Sequence, residues 1–164
     1  MSRAYFPQQE GAPAPLRVTV ERQVRFEEVD PLNIVWHGRY PSFFEDARVA
    51  FGEKFGIGYL DCYERGILTP IKKMHLDYFR PLRFPERFSI EGILHWSAAA
   101  RLNFEFIVRN QAREITTTGY TVQMMLDTEQ NVMLIPPPFV REFMDRWQKG
   151  AFSGQKSPPE TDSL

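Results

Sequence analysis

The chain is poor in the features that tie a protein to a membrane, a secreted scaffold or nucleic acid. One cysteine, Cys62, stands among 164 residues, so no disulfide can close within the chain, which suits a reducing compartment. Neither charge sign dominates. Twenty Lys and Arg face 21 Asp and Glu, for a formal net charge of −1, and no basic footprint marks a nucleic acid or an anionic lipid surface. No apolar run reaches the length of a membrane span. Residues 1–16, with their Pro, Gln and Gly, lack the apolar segment of a secretory signal, so cytoplasm is the expected location. A Gly-x-Ser-x-Gly elbow is missing, which removes support for an α/β-hydrolase mechanism. Gly56-Ile57-Gly58 reads as a helix stop rather than a dinucleotide loop. His75 and Asp77 share a strand face, but no third ligand has matching spacing, so neither metal nor cofactor is expected. Cys62 has no credible His partner in sequence and reads as a small core or loop residue.

What the chain does have is apolar and aromatic mass: 43% hydrophobic residues and 14% aromatics, with 14 Phe. That is the composition of a globular domain, and the length suits one. Residues 1–15 read as a flexible leader, 16–149 as the domain, and 150–164, with adjacent prolines and several Ser, as a flexible tail. From Arg17 to Phe26, Val18, Val20, Val24 and Phe26 alternate with polar residues as in a half-buried strand, and Arg22 is the one exception. The period then changes. Tyr40, Phe43, Phe44, Ala47, Ala50, Phe51 and Phe55 recur at helical spacing, with Pro41 in the first turn, Glu45 and Asp46 near the start to serve the helix dipole, and Gly56 as the cap. Strand patterns return at Met74–Tyr78, Phe88–Trp96, Leu102–Val108 and Arg113–Asp127, and Phe139 to Trp147 form a short closing helix. The order predicts an α+β domain in which a curved antiparallel sheet wraps one long helix. Such a sheet has edges to cover, and an oligomer would cover them.

The informative segment is the junction between the first strand and the long helix. Asp30 precedes a helix N-terminus, where unpaired N–H groups and the positive dipole end favour a developing oxyanion. A carboxylate beside a polarised carbonyl can attack it or activate a water. A thiolate, with a conjugate-acid pKa of roughly 8.5, departs without a strong general acid. One carboxylate and one oxyanion site therefore suffice for thioester hydrolysis. Asp30 before Pro31 is also a common turn residue. Glu27 and Glu28 read as a solvated pair.

The run Asp30-Pro31-Leu32-Asn33-Ile34-Val35-Trp36-His37, with Tyr40 and the aromatic helix after it, resembles the signature of the 4-hydroxybenzoyl-CoA thioesterase family, which includes the acyl-CoA thioesterases associated with the Tol-Pal cluster. The resemblance extends over nearly the whole patterned region, with Thr69-Pro70-Ile71 and Trp96 falling where the aryl-CoA members have similar segments. It implies the hotdog fold and a thioesterase that cleaves an acyl-CoA or aryl-CoA to free acid and thiol. It implies Asp30 as base or nucleophile and the His37 backbone amide as the group that polarises the carbonyl, with the imidazole either structural or participating. Trp36 would be a packing residue or a wall of the acyl pocket, and Asn33, Tyr40 and Arg101 would complete the substrate contacts. The assembly would be a homodimer or homotetramer with the pocket between subunits. The chain departs from the family at Leu32 and Asn33, where Gly is frequent, and at Arg39, where Asn or Ser is usual. It also has Ser97-Ala98-Ala99-Ala100 in place of a basic cluster, leaving only Arg101. Two rival readings follow: an acyl-carrier-protein thioesterase, whose substrate lacks the CoA nucleotide, and a non-catalytic acyl-binding hotdog module.

Overall fold

The computed structural model describes residues 4–154; the greater part of the tail expected from residue 150 lies outside the described residues. Strand β1 (Leu16–Gln23) leads through two single 3₁₀ turns into the long helix α1 (Tyr40–Phe55). A five-residue helix α2 (Tyr59–Tyr63) follows, then β2 (Ile71–Tyr78), β3 (Arg87–His95), β4 (Arg101–Asn110), β5 (Ile115–Met124) and the closing helix α3 (Pro138–Gln148). The five strands form one sheet in the order β1-β3-β4-β5-β2, with every pairing antiparallel. β1 and β2 are the two edges.

The helix forms where the aromatic spacing predicted it. Phe43, Phe44, Ala47 and Phe51 are essentially unexposed and meet the inner face of the sheet. Phe44 stacks on Phe106 at 4.3 Å, Phe51 meets Phe104 edge-on at 5.0 Å, and Phe43 packs on Phe88 at 4.8 Å. Each such ring contributes about 1.5–3 kcal/mol of apolar burial. Gly56 ends the helix with φ 70°, in the left-handed region, and its N–H donates to the Gly52 carbonyl. Helix α3 closes the far end: Trp147 meets Trp96 edge-on at 5.2 Å and donates its Nε1–H to the Ala14 carbonyl at 2.9 Å.

Three expectations from the pattern need correction. The first strand stops at Gln23, opposite Arg87 at the start of β3, and one further backbone bond, from the Val24 N–H to the Glu86 carbonyl at 2.9 Å, precedes the 3₁₀ turn. Phe26 therefore lies in a 3₁₀ turn, 78% exposed and edge-on to Phe84, rather than on the inner face. The last strand is shorter than 113–127, since Arg113 turns the chain with φ 62° and Asp127 belongs to a loop that it closes with Asn131. Helix α2 carries no sequence period long enough to announce it.

On the outer face, His75 and Asp77 pair with each other at 2.9 Å, and the Tyr5 hydroxyl donates to Asp77 at 2.6 Å. The Tyr5 and His75 hydrogen bonds hold the Asp77 carboxyl below its usual range, while burial and Asp77 push the Tyr5 phenol up to about 12.

Candidate active site

The segment from Val29 to Tyr40 builds the site from three local devices. First, Val29 and Val35 form an antiparallel bridge, the Asp30 N–H donates to the Ile34 carbonyl at 2.9 Å, and the Asn33 N–H donates to the Asp30 carbonyl at 2.9 Å. Pro31, Leu32 and Asn33 thus form a three-residue hairpin loop whose last residue is left-handed, with Asn33 at φ 58°. Asn tolerates that conformation better than other non-glycine residues, so Asn33 can stand where glycine is frequent. Second, the Leu32 N–H donates to Asp30 Oδ1 at 2.8 Å, which orients the carboxylate. Among the described residues, Oδ2 accepts no hydrogen bond. Third, the chain leaves the hairpin through Trp36 and enters a 3₁₀ turn, His37–Arg39, that runs directly into α1. The His37 and Gly38 N–H groups open this helical run and, among the described residues, make no backbone hydrogen bond. Asp30 lies opposite Ile34, three residues or about 10 Å of extended chain from His37.

Contacts with the preceding 3₁₀ turn, the loop between β2 and β3, and the end of β2 hold the hairpin in place. The Val35 N–H donates to the Leu82 carbonyl, the Trp36 N–H donates to the Glu28 carbonyl, and Ile34 bridges Arg83. From the end of β2, the Tyr78 hydroxyl donates to the His37 carbonyl at 2.8 Å. Arg39 reaches back to donate to the Glu27 carbonyl at 3.1 Å. The Trp36 indole, half-exposed, packs against Gly38, where a Cβ would fall 2.4 Å from the ring. Tyr40 is buried beneath the site, edge-on to Tyr78, and burial raises its phenol pKa.

The structure gathers Asp30, Asn33, Trp36, His37 and Tyr40 on this one segment, with Asn33 and His37 exposed and Tyr40 sealed below. It does not bring Arg101 to them. Arg101 opens β4, pairs with Met124 and donates through Nε to Ser97. It lies at the opposite end of the sheet, about 30 Å away along β4.

Glu28 is not the solvated residue expected. It is buried, and its carboxylate takes Arg22 Nη2 at 2.9 Å and the Arg25 N–H at 2.8 Å. Arg22 reaches with Nη1 to Asp46 on α1 at 2.5 Å and lies over the Phe43 ring at 5.0 Å. Asp46 thus serves an ion pair rather than the helix dipole. Glu45 likewise sits 3.1 Å from Arg48. The Arg22–Glu28–Asp46 brace ties β1, the hairpin and α1 together. The break in strand alternation at Arg22 was the sequence signal for it. Among the described residues, no group of three His, Cys, Asp or Glu could hold a metal ion, and no helix is long and apolar enough to cross a membrane.

The elements form a hotdog scaffold, with the Asp30 hairpin set against the start of the long helix. Comparison with known proteins puts the chain among the thioester hydrolases. The model of the thioesterase-like superfamily matches residues 24–147, and the chain belongs to that superfamily. Bacillus subtilis YneP, which carries an acyl-CoA thioesterase name, is 25% identical over 109 residues, 66% of this chain and 79% of that protein. Acyl-acyl carrier protein thioesterase ATL3 of Arabidopsis thaliana is 25% identical over 126 residues, 76% of this chain and 66% of that protein. The solved DHNA-CoA thioesterase from Staphylococcus aureus shares the fold with a TM-score of 0.73 and 22% identity, over 85% of this chain and 96% of that one.

Proposed function

We propose that the protein hydrolyses an acyl-CoA thioester, aliphatic or aryl, to free acid and thiol in the cytoplasm, with Asp30 as the reacting carboxylate. The observation that carries the reading is the hairpin that fixes Asp30 through one oxygen and, among the described residues, leaves the other without a donor, near the His37 and Gly38 N–H groups, which make no backbone hydrogen bond there. Asp30 Oδ2 attacks the thioester carbonyl or takes a proton from an attacking water. The oxyanion that forms accepts from the His37 N–H, helped by the dipole of α1. The thiolate then leaves, its low basicity removing the need for a strong acid; on the nucleophilic route water next hydrolyses the acyl–Asp30 anhydride, releasing the acid and restoring the carboxylate.

The acyl group needs a pocket. The recess beside the Asp30 hairpin, about 630 Å³ and lined by Arg22, Gln23, Val24, Arg25, Phe26, Phe84 and Pro85, has two arginines in its wall and suits an acyl chain poorly. An apolar cavity of about 430 Å³ opens at the other end of β2, lined by Tyr59, Tyr63, Ile67, Leu68, Pro70 and Leu126 among others, a size typical of ligand pockets. β2 is a free edge. Pairing it antiparallel with a second copy sets the Tyr78 and His37 end of one protomer against the Thr69-Pro70 end of the other. Arg101 belongs to the cavity end, since it pairs with Met124, whose N–H donates to the Pro70 carbonyl. A homodimer thus unites Asp30, Trp36 and His37 of one chain with the cavity and Arg101 of the other, and Arg101 becomes the contact for the nucleotide portion of CoA.

The carrier-protein reading keeps one specific support: Ser97 is buried and holds Arg101, and Ala98 to Ala100 offer no further cation for the nucleotide phosphates. Free-thiol release from straight-chain acyl-CoA, 4-hydroxybenzoyl-CoA and acyl-carrier thioesters separates these possibilities. Turnover is expected on CoA thioesters. Turnover confined to carrier thioesters would transfer the function to that substrate, and none on any of them would leave a binding module.

A further inference from the structure

Arg48 sits in the middle of α1, on the flank that faces α2 rather than the sheet. Its side chain is 4% exposed, and neither terminal nitrogen makes a hydrogen bond among the described residues. Glu45 Oε1 lies 3.1 Å from Nη2, close enough for charge attraction but without hydrogen-bond geometry. Buried guanidinium donors left without acceptors are costly. Burial lowers the Arg48 pKa, and Glu45 opposes that shift.

One aromatic residue, Tyr59, touches both this group and the apolar cavity. The Arg48 Cζ lies 4.6 Å from the centroid of Tyr59, and Tyr59 lines the cavity. The placement of Tyr59 follows from backbone packing: α2 is pinned to α1 where Gly58 rests on Gly52, so close that a Cβ at Gly52 would fall 2.5 Å from the Gly58 Cα. Tyr59 itself is 43% exposed, with solvent on its outer side.

We infer that Arg48 is a specificity-determining residue that donates hydrogen bonds to a neutral oxygen, keto or hydroxyl, carried on the acyl group in this cavity, with Tyr59 as the door between them. Glu45 decides against a carboxylate. Its negative charge already neutralises Arg48 at Nη2 and would repel a second anion, whereas the Nη1 donors, with no acceptor among the described residues, remain available to an uncharged oxygen. The lining supplies the apolar contacts for the rest of the chain. This inference rests on the thioesterase reading for the identity of the bound molecule.

The experiment compares acyl-CoA thioesters of equal chain length: a simple alkyl chain, a series with one keto oxygen at successive carbons, and a chain ending in carboxylate. The best keto substrate should exceed the alkyl one in kcat/KM by about tenfold or more, because a site built around donors discriminates strongly against a partner that leaves them unpaired. The carboxylate should rank below it. Arg48→Met should bring the keto-to-alkyl ratio close to unity. Tyr59→Ala should raise the ratio above that of the parent, and this arm stands alone if Arg48→Met does not fold. The same ratios, read by calorimetry as binding to Asp30→Asn protein, require no turnover. Absent hydrolysis with the keto preference intact in binding would overturn the thioesterase reading alone. Equal affinities for keto and alkyl chains, a ratio unmoved by Arg48→Met or Tyr59→Ala, or a preference for carboxylate would overturn the role of Arg48.

Discussion

Replacing Arg22 by Met removes the centre of the brace and leaves Glu28 with a buried carboxylate whose remaining hydrogen bond comes from the Arg25 N–H. Breaking a fully buried ion pair costs about 3–5 kcal/mol. Arg22 is 19% exposed and Asp46 41%, so water softens part of that loss, and about 2–3 kcal/mol is the expected destabilisation. For a chain of this length each kcal/mol lowers Tm by about 2–4 °C, which predicts a fall of roughly 4–12 °C by calorimetry. Activity should fall as well at temperatures well below the transition, by about tenfold or more. The Glu28 carbonyl accepts the Trp36 N–H, so a displaced Glu28 loosens the approach to His37, and small misplacements of reacting groups are expensive. The double variant Arg22→Met, Glu28→Leu removes both buried charges, and its Tm should recover at least half of the loss. A single variant with unchanged Tm, or a double variant less stable than the single, would refute the brace as the element that holds the hairpin.

His37→Ala should lower kcat by less than about tenfold, since the proposed contribution is a backbone N–H that Ala retains; steady-state kinetics at saturating substrate reads this. Gly38→Ala must push the Trp36 ring away from a Cβ that would lie 2.4 Å from it. It should cost about 1–3 kcal/mol in denaturant unfolding and quench or shift the Trp fluorescence. Cys62 is buried, and burial pushes its thiol up to about 11. Little thiolate then exists at pH 8, and alkylation of the native protein should run slower than that of free cysteine by on the order of a hundredfold, rising only on unfolding.

The long helix was legible because its aromatic residues carry the period themselves: Phe43, Phe44, Phe51 and Phe55 bury the face they predict, and Gly56 takes the conformation its position demands. The Asp30 hairpin was legible for a different reason, since Asp, Pro and Asn each suit one place in a tight turn. What stayed hidden depends on partners distant in sequence. Phe26 reads as a continuation of the first strand until the start of β3 is known. Glu28 looks like its exposed neighbour Glu27, and only the reach of Arg22 across to α1 makes it a buried acid. Arg48 looks like a solvated helix charge until α2, itself too short to show a period, folds Tyr59 over it. Arg101 sits in the expected strand, but its distance from Asp30 reflects sheet topology that alternation cannot report.

The central claim is that Asp30 is the reacting group, and Asp30→Asn tests it most directly. The Asn side-chain oxygen can still accept the Leu32 N–H that Asp30 Oδ1 now accepts at 2.8 Å, so the hairpin should keep its shape and Tm should move by only a few degrees. Thiol release measured on the best CoA thioester of the panel should nonetheless fall by at least about a hundredfold, the usual loss when a base or nucleophile is removed. A folded Asp30→Asn protein that releases thiol at close to the parent rate would contradict the account.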